Sequence, residues 1–504
     1  MPRLIIAQRN FLKVISASFA RGKALCVLFA LCSAMAIDSP AQTFQTLVNF
    51  NRSNGASPIA APLQNIDGNL YGTTPQGGLY NSLCSGSCGV AYEMTPGGTL
   101  AAFFDFCNRA GCPDGFAPLA GLALTPDGTM YGTTSQGGSS TDQAGTAFKI
   151  DIGANYTQLD DFSGPSLPFT TLAQYINGTF YGTTLLGGTY GYGSVYTLSP
   201  AGVLTTIYSF NKTNGESPSS MVLGRDGNFY GTTTAGGSGT ACNQQGCGTV
   251  FRLTPAGKLT VLYNFCTGKC RDGSAPASLI QASDGNLYGV TNGGGRSSVD
   301  GTLFKISLSG ALKTIYSFCT LTNCTDGLSP QTIIEGSDGN LYGTTAGGGD
   351  LNCNAQIGGG CGTVFEVTST GSLTTLHTFE STDGAYAYGL TQYTNGSFYG
   401  VTSNGGSSSI CTLGCGTIYE IKSGLSPFVS FVFPAAKVGE TVGILGQGFT
   451  GTTSVKLNNT PMNFTVASDT YIQATVPSGA SKGSITVTTP GGTLKSNVPF
   501  NVIP

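Results

Sequence analysis

Apolar and polar positions along this chain follow one phrase that returns seven times. In the copy spanning residues 217–265 the apolar runs 217–223, 228–233, 248–253 and 258–265 are short and rich in β-branched and aromatic residues. Turn formers bound each run, so each reads as a strand. The second run carries a Tyr-Gly pair, which begins at Tyr71, Tyr131, Tyr181, Tyr230, Tyr288, Tyr342 and Tyr399, at intervals of 60, 50, 49, 58, 54 and 57 residues. Periods of this size belong to propellers, solenoids or arrays. Asp226-Gly227 ahead of the second run and Thr254-Pro255-Ala256-Gly257 after the third are tight-turn signals, and Asp-Gly supplies positive φ at little cost. Four antiparallel strands per copy make a small sheet with two apolar faces, which must stack on its neighbours. Seven such sheets predict an all-β, seven-bladed β-propeller. An open solenoid would need a polar cap at each end, and the sequence shows none.

The two ends of the repeat region favour a closed ring. The run 43–50 matches the fourth strand of every copy, while 416–421 is a third strand with no fourth after it. The N-terminal segment is therefore expected to complete the last blade as its outer edge, leaving no sheet edge unpaired. Beyond residue 422 the phrase stops. Residues 427–502 hold short alternating strands separated by turn formers, the pattern of a small immunoglobulin-like β-sandwich. After position 43 no window of a dozen residues carries an unbroken helical period.

The recurring order Asp-Gly-Asn-Leu-Tyr-Gly-Thr-Thr, Gly-Gly, then Gly-Thr-Val-Phe-x-Leu-Thr-Pro and Leu-Tyr-Ser-Phe resembles the bacterial GloVer tandem repeat of exported proteins over residues 44–422. That resemblance implies export and a propeller-like body and brings no established activity. The strand order also resembles NHL-type propellers, which implies that the run beginning Ser217-Pro218 is innermost. Residues 427–502 are similar to an IPT/TIG domain, most specifically at Gly446-Gln447-Gly448-Phe449. An unrelated sandwich stays the alternative there, and either one implies a spacer or interaction module.

The N-terminus changes the picture of where the chain works. Arg3, Arg9, Lys13, Arg21 and Lys23 precede an apolar run at 24–36 and then Ser39-Pro40-Ala41, the layout of a signal peptide rather than of a retained anchor. An apolar run this short does not span a bilayer. Cleavage is expected between Ala41 and Gln42, with Ala36 as another site, giving a signal peptide at 1–41, a propeller at 42–422 and a sandwich at 425–504. Removing residues 1–36 strips five of the 22 basic residues and no acid, leaving 17 against 25, a net −8. No Lys/Arg cluster offers the counterion release that nucleic-acid binding needs, which excludes that class of partner. The expected molecule is a monomer without a membrane span, secreted, periplasmic or at the cell surface.

Fourteen cysteines outside the leader form seven close pairs, Cys84/Cys88, Cys107/Cys112, Cys242/Cys247, Cys266/Cys270, Cys319/Cys324, Cys353/Cys361 and Cys411/Cys415. An even count, local pairing and export point to disulfides. A zinc site needs convergent soft ligands, and the chain offers one histidine and no paired CxxC motifs. Four pairs lie between second and third strands and three between a fourth strand and the next first strand. Alternate connections of an antiparallel sheet share a side, so all seven project from one face of the ring, a candidate recognition face. Protease resistance is the plainer reading of the same staples.

No catalytic, cofactor-binding or metal-ligating residue emerges. His377 takes the place of Tyr208, Tyr263 and Tyr316 in other copies, a packing slot. The periodic Asp67, Asp127, Asp226, Asp284 and Asp338 give way to Asn177 and Asn395, and Asp114, Asp272, Asp326 and Asp383 to Asn54 and Asn214. Turn geometry tolerates that exchange and a general acid does not. Calcium at these turns would lack an Asp-x-Asp ladder. The expected function is a non-enzymatic exported binding or adhesion protein, with a propeller scaffold for glycan or protein on a sandwich spacer. The alternative is a polysaccharide-active lyase or hydrolase with an acid, Tyr and Arg site in the channel.

Overall fold

The structure, a computed structural model, describes residues 42–503 apart from 80–81, 85–86, 165, 240, 243–244, 298 and 354–358. The expected signal peptide lies outside the described residues. No α-helix occurs among them, and only two short 3-10 turns, Ser82–Cys84 and Thr322–Cys324, interrupt the strands. Seven four-stranded antiparallel sheets form a seven-bladed propeller. Blade 4 is representative, with Glu216–Leu223, Phe229–Ala235, Thr249–Leu253 and Leu259–Asn264 in order from the channel outward.

The seventh blade draws its strands from both ends of the repeat region. Ala385–Gln392, Phe398–Asn404 and Thr417–Lys422 are followed by Thr43–Asn49 as the outermost strand. Phe44 pairs with Ile421, Gln45 with Glu420 and Asn49 with Thr417. The Phe50 amide then donates to the Gly416 carbonyl at 3.0 Å. A terminal segment that would fray in isolation is thus built into a sheet as a full strand.

One aromatic contact repeats at every seam between blades. The phenylalanine ending each fourth strand meets the aromatic at the centre of the next blade's third strand. The pairs are Phe106–Phe148, Phe162–Tyr196, Phe210–Phe251, Phe265–Phe304, Phe318–Phe365, Phe379–Tyr419 and, across the closure, Phe50–Tyr92. Ring centroids lie 4.8 Å apart at the tightest seam and 5.7 Å at the closure, tilted or edge-on, the arrangement the ring quadrupole favours. The Tyr-Gly glycine makes room for this aromatic. A Cβ on Gly231 would enter the Phe251 ring and the Ser220 carbonyl, and one on Gly72 would strike the Tyr92 hydroxyl. Three seams carry Tyr where four carry Phe, and the Tyr92 and Tyr419 hydroxyls are buried without a hydrogen-bond partner.

The innermost strand, the one beginning at Glu216 in blade 4, departs from strict repetition. It spans eight residues in blades 4 to 7 but pairs over only two in blades 1 to 3, at Leu63–Gln64, Ala123–Leu124 and Ala173–Gln174. Isolated bridges such as Ala56 to Gln76 and Phe116 to Gln136 hold its upper end there. The channel wall is therefore regular on one side and irregular on the other. Pro218, Pro276 and Pro330 sit in this strand, where the ladder-free edge faces the channel and tolerates the missing N–H.

The C-terminal domain is a β-sandwich around Ile444, Phe449, Leu457, Ile472 and Val487. Phe449, fully buried, folds over Gly446 and explains the Gly-x-Gly-Phe turn. The sequence leaves a spacer or an interaction module open, and in the structure the domain is in contact with its neighbour. The sandwich lies against the short-turn face of the ring. The Tyr471 hydroxyl donates to the Pro126 carbonyl at 2.5 Å, Thr470 Oγ1 to Ile66 O at 2.8 Å and Gln447 Nε2 to Thr394 Oγ1 at 2.8 Å. Leu445 and Tyr471 join the hydrophobic cluster of blades 1 and 2. These contacts come from single side chains with no periodic signal, which is why the pattern of the chain does not show them.

Phe50→Ala should destabilise the protein by about 3–5 kcal/mol, as an interior aromatic truncation does. Tyr92→Phe should stabilise it by about 1 kcal/mol, because it removes a buried hydroxyl that has no partner. Denaturant unfolding of the two variants beside the parent measures both.

Candidate functional site

The two faces of the ring are built from different connections. On the short-turn face the first strand of blades 1, 4, 5 and 6 turns into the second through a repeated clip. Asp226 Oδ1 accepts the Asn228 backbone N–H at 3.1 Å, while Oδ2 accepts Asn228 Nδ2 at 2.8 Å and the Tyr230 hydroxyl at 2.7 Å. Asp67, Asp284 and Asp338 repeat the arrangement with Tyr71, Tyr288 and Tyr342. The Asn and Tyr of the Asp-Gly-Asn-x-Tyr phrase thus satisfy both carboxylate oxygens within the fold, a role that turn propensity alone did not reveal. Burial would raise the Asp284 pKa, but the Lys305 ammonium at 2.7 Å and the Asn286 and Tyr288 donors outweigh it and hold the group at about 2.

On the opposite face run the long loops. Their bases are pinned by hydroxyl pairs between second and third strands: Thr233 to Thr249 at 3.0 Å, Thr345 to Thr363 at 2.9 Å and Thr402 to Thr417 at 2.8 Å. The second set of acids caps the remaining loops. Asp272 accepts the Tyr263 hydroxyl and the Cys266 amide, Asp326 accepts the Tyr316 hydroxyl, and Asp383 meets His377 Nε2 at 2.9 Å. His377 therefore fills the tyrosine slot, with Phe44 stacked on its ring at 3.4 Å.

All fourteen cysteines lie in these loops. The structure bonds Cys84 to Cys88, Cys107 to Cys112, Cys242 to Cys247, Cys266 to Cys270, Cys319 to Cys324, Cys353 to Cys361 and Cys411 to Cys415. Two loops converge in a way the sequence reading missed. The sulfurs of Cys242, Cys247, Cys266 and Cys270 all lie within 4.8 Å of one another, as do those of Cys84, Cys88 and Cys107. The signal available was spacing, because 18 residues separate Cys247 from Cys266 and Cys88 from Cys107. One third-to-fourth-strand hairpin spans that length and returns the chain to the same face. Four thiolates so placed would be a tetrathiolate donor set, but joined as two disulfides they offer none.

The loop face also gathers exposed apolar surface. Of the twelve large apolar side chains exposed among the described residues, eight lie in its loops, including Leu83, Tyr190, Val299, Leu321, Leu351 and Ile410. Between the faces runs the channel. Its middle is a cavity of about 510 Å³, with Ile59, Leu119 and Phe169 on the side of blades 1 to 3 and Ser220, Ser278 and Thr332 on the side of blades 4 to 6. Below it a second space of about 470 Å³ ends on Phe431, Val432, Phe433 and Pro434 of the sandwich. Among the described residues no Asp, Glu, Lys, Arg or His lines either space. Of the acid, Tyr and Arg groups expected of a polysaccharide-cleaving channel, Tyr388 is the one that lines these spaces among the described residues.

Residues 33–175, 166–357 and 239–460 match the Gloeobacter/Verrucomicrobia repeat family. The chain belongs to that family. Residues 425–502 match the IPT/TIG domain. The search of curated proteins found no match to the chain. Among solved structures the chain is similar to a streptogramin B lyase, with 16% identity, a TM-score of 0.51 and coverage of 76% of this chain and 97% of that one. A virginiamycin B lyase from Staphylococcus aureus matches with 12% identity and a TM-score of 0.50, over 76% and 99% of the two chains. A catalytically inactive histidine-to-alanine form of that lyase with quinupristin matches with 13% identity and a TM-score of 0.50, over 76% and 99%. At these identities the likeness between this member of the repeat family and the lyases is one of fold.

The clip makes a prediction about acid. The folded pKa of Asp284 lies below the unfolded value of about 3.9, so the stability this carboxylate adds is complete above that value and is lost as pH falls towards 2. Asp284→Asn should therefore lower stability at pH 7, where the carboxylate's contribution is complete, and flatten the fall between about pH 4 and pH 2. Urea titrations at stepped pH measure the slope.

Proposed function

We propose that this repeat protein is an exported, non-enzymatic binding or adhesion protein that engages glycan or protein through its disulfide-stapled loop face. The observation that carries this reading is the concentration of exposed apolar side chains on loops whose bases and tips are fixed. Rigid loops on a scaffold bind at low ordering cost. The sandwich supports the assignment of sides, because it occupies the short-turn face and leaves the loop face free. Seven disulfides fit an oxidising compartment outside the cytoplasm, and no helix among the described residues is long and apolar enough to cross a membrane.

The similarity to the lyases does not carry catalysis to this chain. One of those proteins is inactive without a histidine, whereas the single histidine here is held by Asp383 and stacked under Phe44 at the seam of blades 6 and 7. Screening the purified protein on a glycan array and against extracellular protein extracts, with product analysis on each hit, tests the reading. Replacing Tyr190, Val299 and Ile410 together by serine should weaken a hit by at least about tenfold, roughly 1.4 kcal/mol, with the melting temperature kept. Released unsaturated sugars or new reducing ends would overturn the non-enzymatic assignment.

A further inference from the structure

The channel changes character along its length, and one group in it has no partner. The residue four places after each Tyr-Gly tyrosine is Ser135 in blade 2, Thr234 in blade 4 and Asn292 in blade 5. The Ser135 and Thr234 hydroxyls donate to backbone carbonyls, of Ala117 at 2.8 Å and of Ser217 at 3.2 Å. Asn292, which lines the cavity, instead has its Oδ1 buried in the wall with nothing bonded to it, so that a ligand meets this acceptor when the amide turns over towards the channel. A buried acceptor in a folded protein almost always has a partner, from the chain or from outside it.

The walls around Asn292 say what kind of partner fits. On its side stand Ser278, Thr332 and Gln331, and opposite them Ile59 and Phe169. Deeper, Leu124, Leu172 and Met221 lead down to Phe431 and Phe433 of the sandwich. An apolar cavity with a few convergent polar groups has the form of a small-molecule site, and about 510 Å³ falls in the usual size range. A charged ligand would be desolvated with no counter-charge to meet it, because neither space holds an ionised side chain. Since the sandwich lies across the short-turn mouth, access is from the loop face.

We propose that the channel is a floored pocket for an uncharged amphipathic small molecule, its apolar end against Phe431 and Phe433 and its hydroxyl- or amide-bearing end at Asn292 and the Ser278–Thr332 wall. The sandwich thereby acts as part of a binding site. This inference goes beyond loop-face recognition and does not depend on it.

Calorimetric titration with octyl glucoside below its micelle concentration tests the pocket, with glucose and octyl sulfate as the other arms. One molecule should bind per chain, and glucose and octyl sulfate should each bind at least about tenfold more weakly. Ala277→Phe places a ring in the channel and should abolish binding. Asn292→Ala removes only the unpartnered amide, leaves the fold intact and should weaken binding about three- to tenfold. The serine replacements at Tyr190, Val299 and Ile410 should leave octyl glucoside affinity unchanged, so that failure of the channel and failure of the loop face are told apart. Octyl glucoside binding no better than glucose, octyl sulfate binding equally well, or Asn292→Ala binding like the parent would each overturn the proposal.

Discussion

The fold rests on a single contact made seven times, the phenylalanine at the end of one blade set against the aromatic at the heart of the next. Each blade is a four-stranded sheet too small to hide its own faces, so the aromatic seam is what turns seven marginal sheets into one body. The contact dictates much of the repeated phrase. Glycine follows tyrosine because the neighbouring ring needs the space of a Cβ. The hydroxyl of Tyr92 or Tyr419 is carried without a partner, a local cost that the surrounding burial outweighs. A ring held by seven equivalent seams is as strong as its closure, and there Phe50 comes from the far end of the chain.

How much of this could be read from the chain follows from periodicity. The seven sheets, the four strands in each and the borrowing of residues 43–49 by the last blade were legible because the same residues recur in the same order. What does not recur was hidden. The loss of inner-strand pairing at Leu63, Ala123 and Ala173 breaks the pattern in three blades only, and nothing in the turn residues announces it. The docking of the sandwich depends on Tyr471, Thr470 and Gln447, each occurring once. The convergence of Cys242, Cys247, Cys266 and Cys270 needed the fold of a whole hairpin. Asn292 differs from Ser135 and Thr234 by a substitution that looks conservative and leaves an acceptor bare.

Those non-repeating features are also where the molecule departs from seven-fold equivalence. The sandwich covers one face and floors the channel, the inner strands make one wall irregular and apolar, and the loops place exposed apolar side chains on the remaining face. The acids that recur with the repeat are engaged in clips and caps. The Asp226 and Asp272 carboxylates hold turns, and His377 stands in for a tyrosine in the same slot as Tyr263 and Tyr316. Structural residues follow the period, while the candidate binding groups break it.

The strand Thr43–Asn49 is an integral outer strand of the last blade, sealed by the Phe50 seam. Amide hydrogen exchange read residue by residue tests it most directly. Amides of residues 44–49 bonded to residues 417–422 should exchange as slowly as those of interior strands such as 259–264, and both should open together with the whole ring. Rapid exchange of 44–49, while 417–422 and the interior blades stay protected, would contradict it.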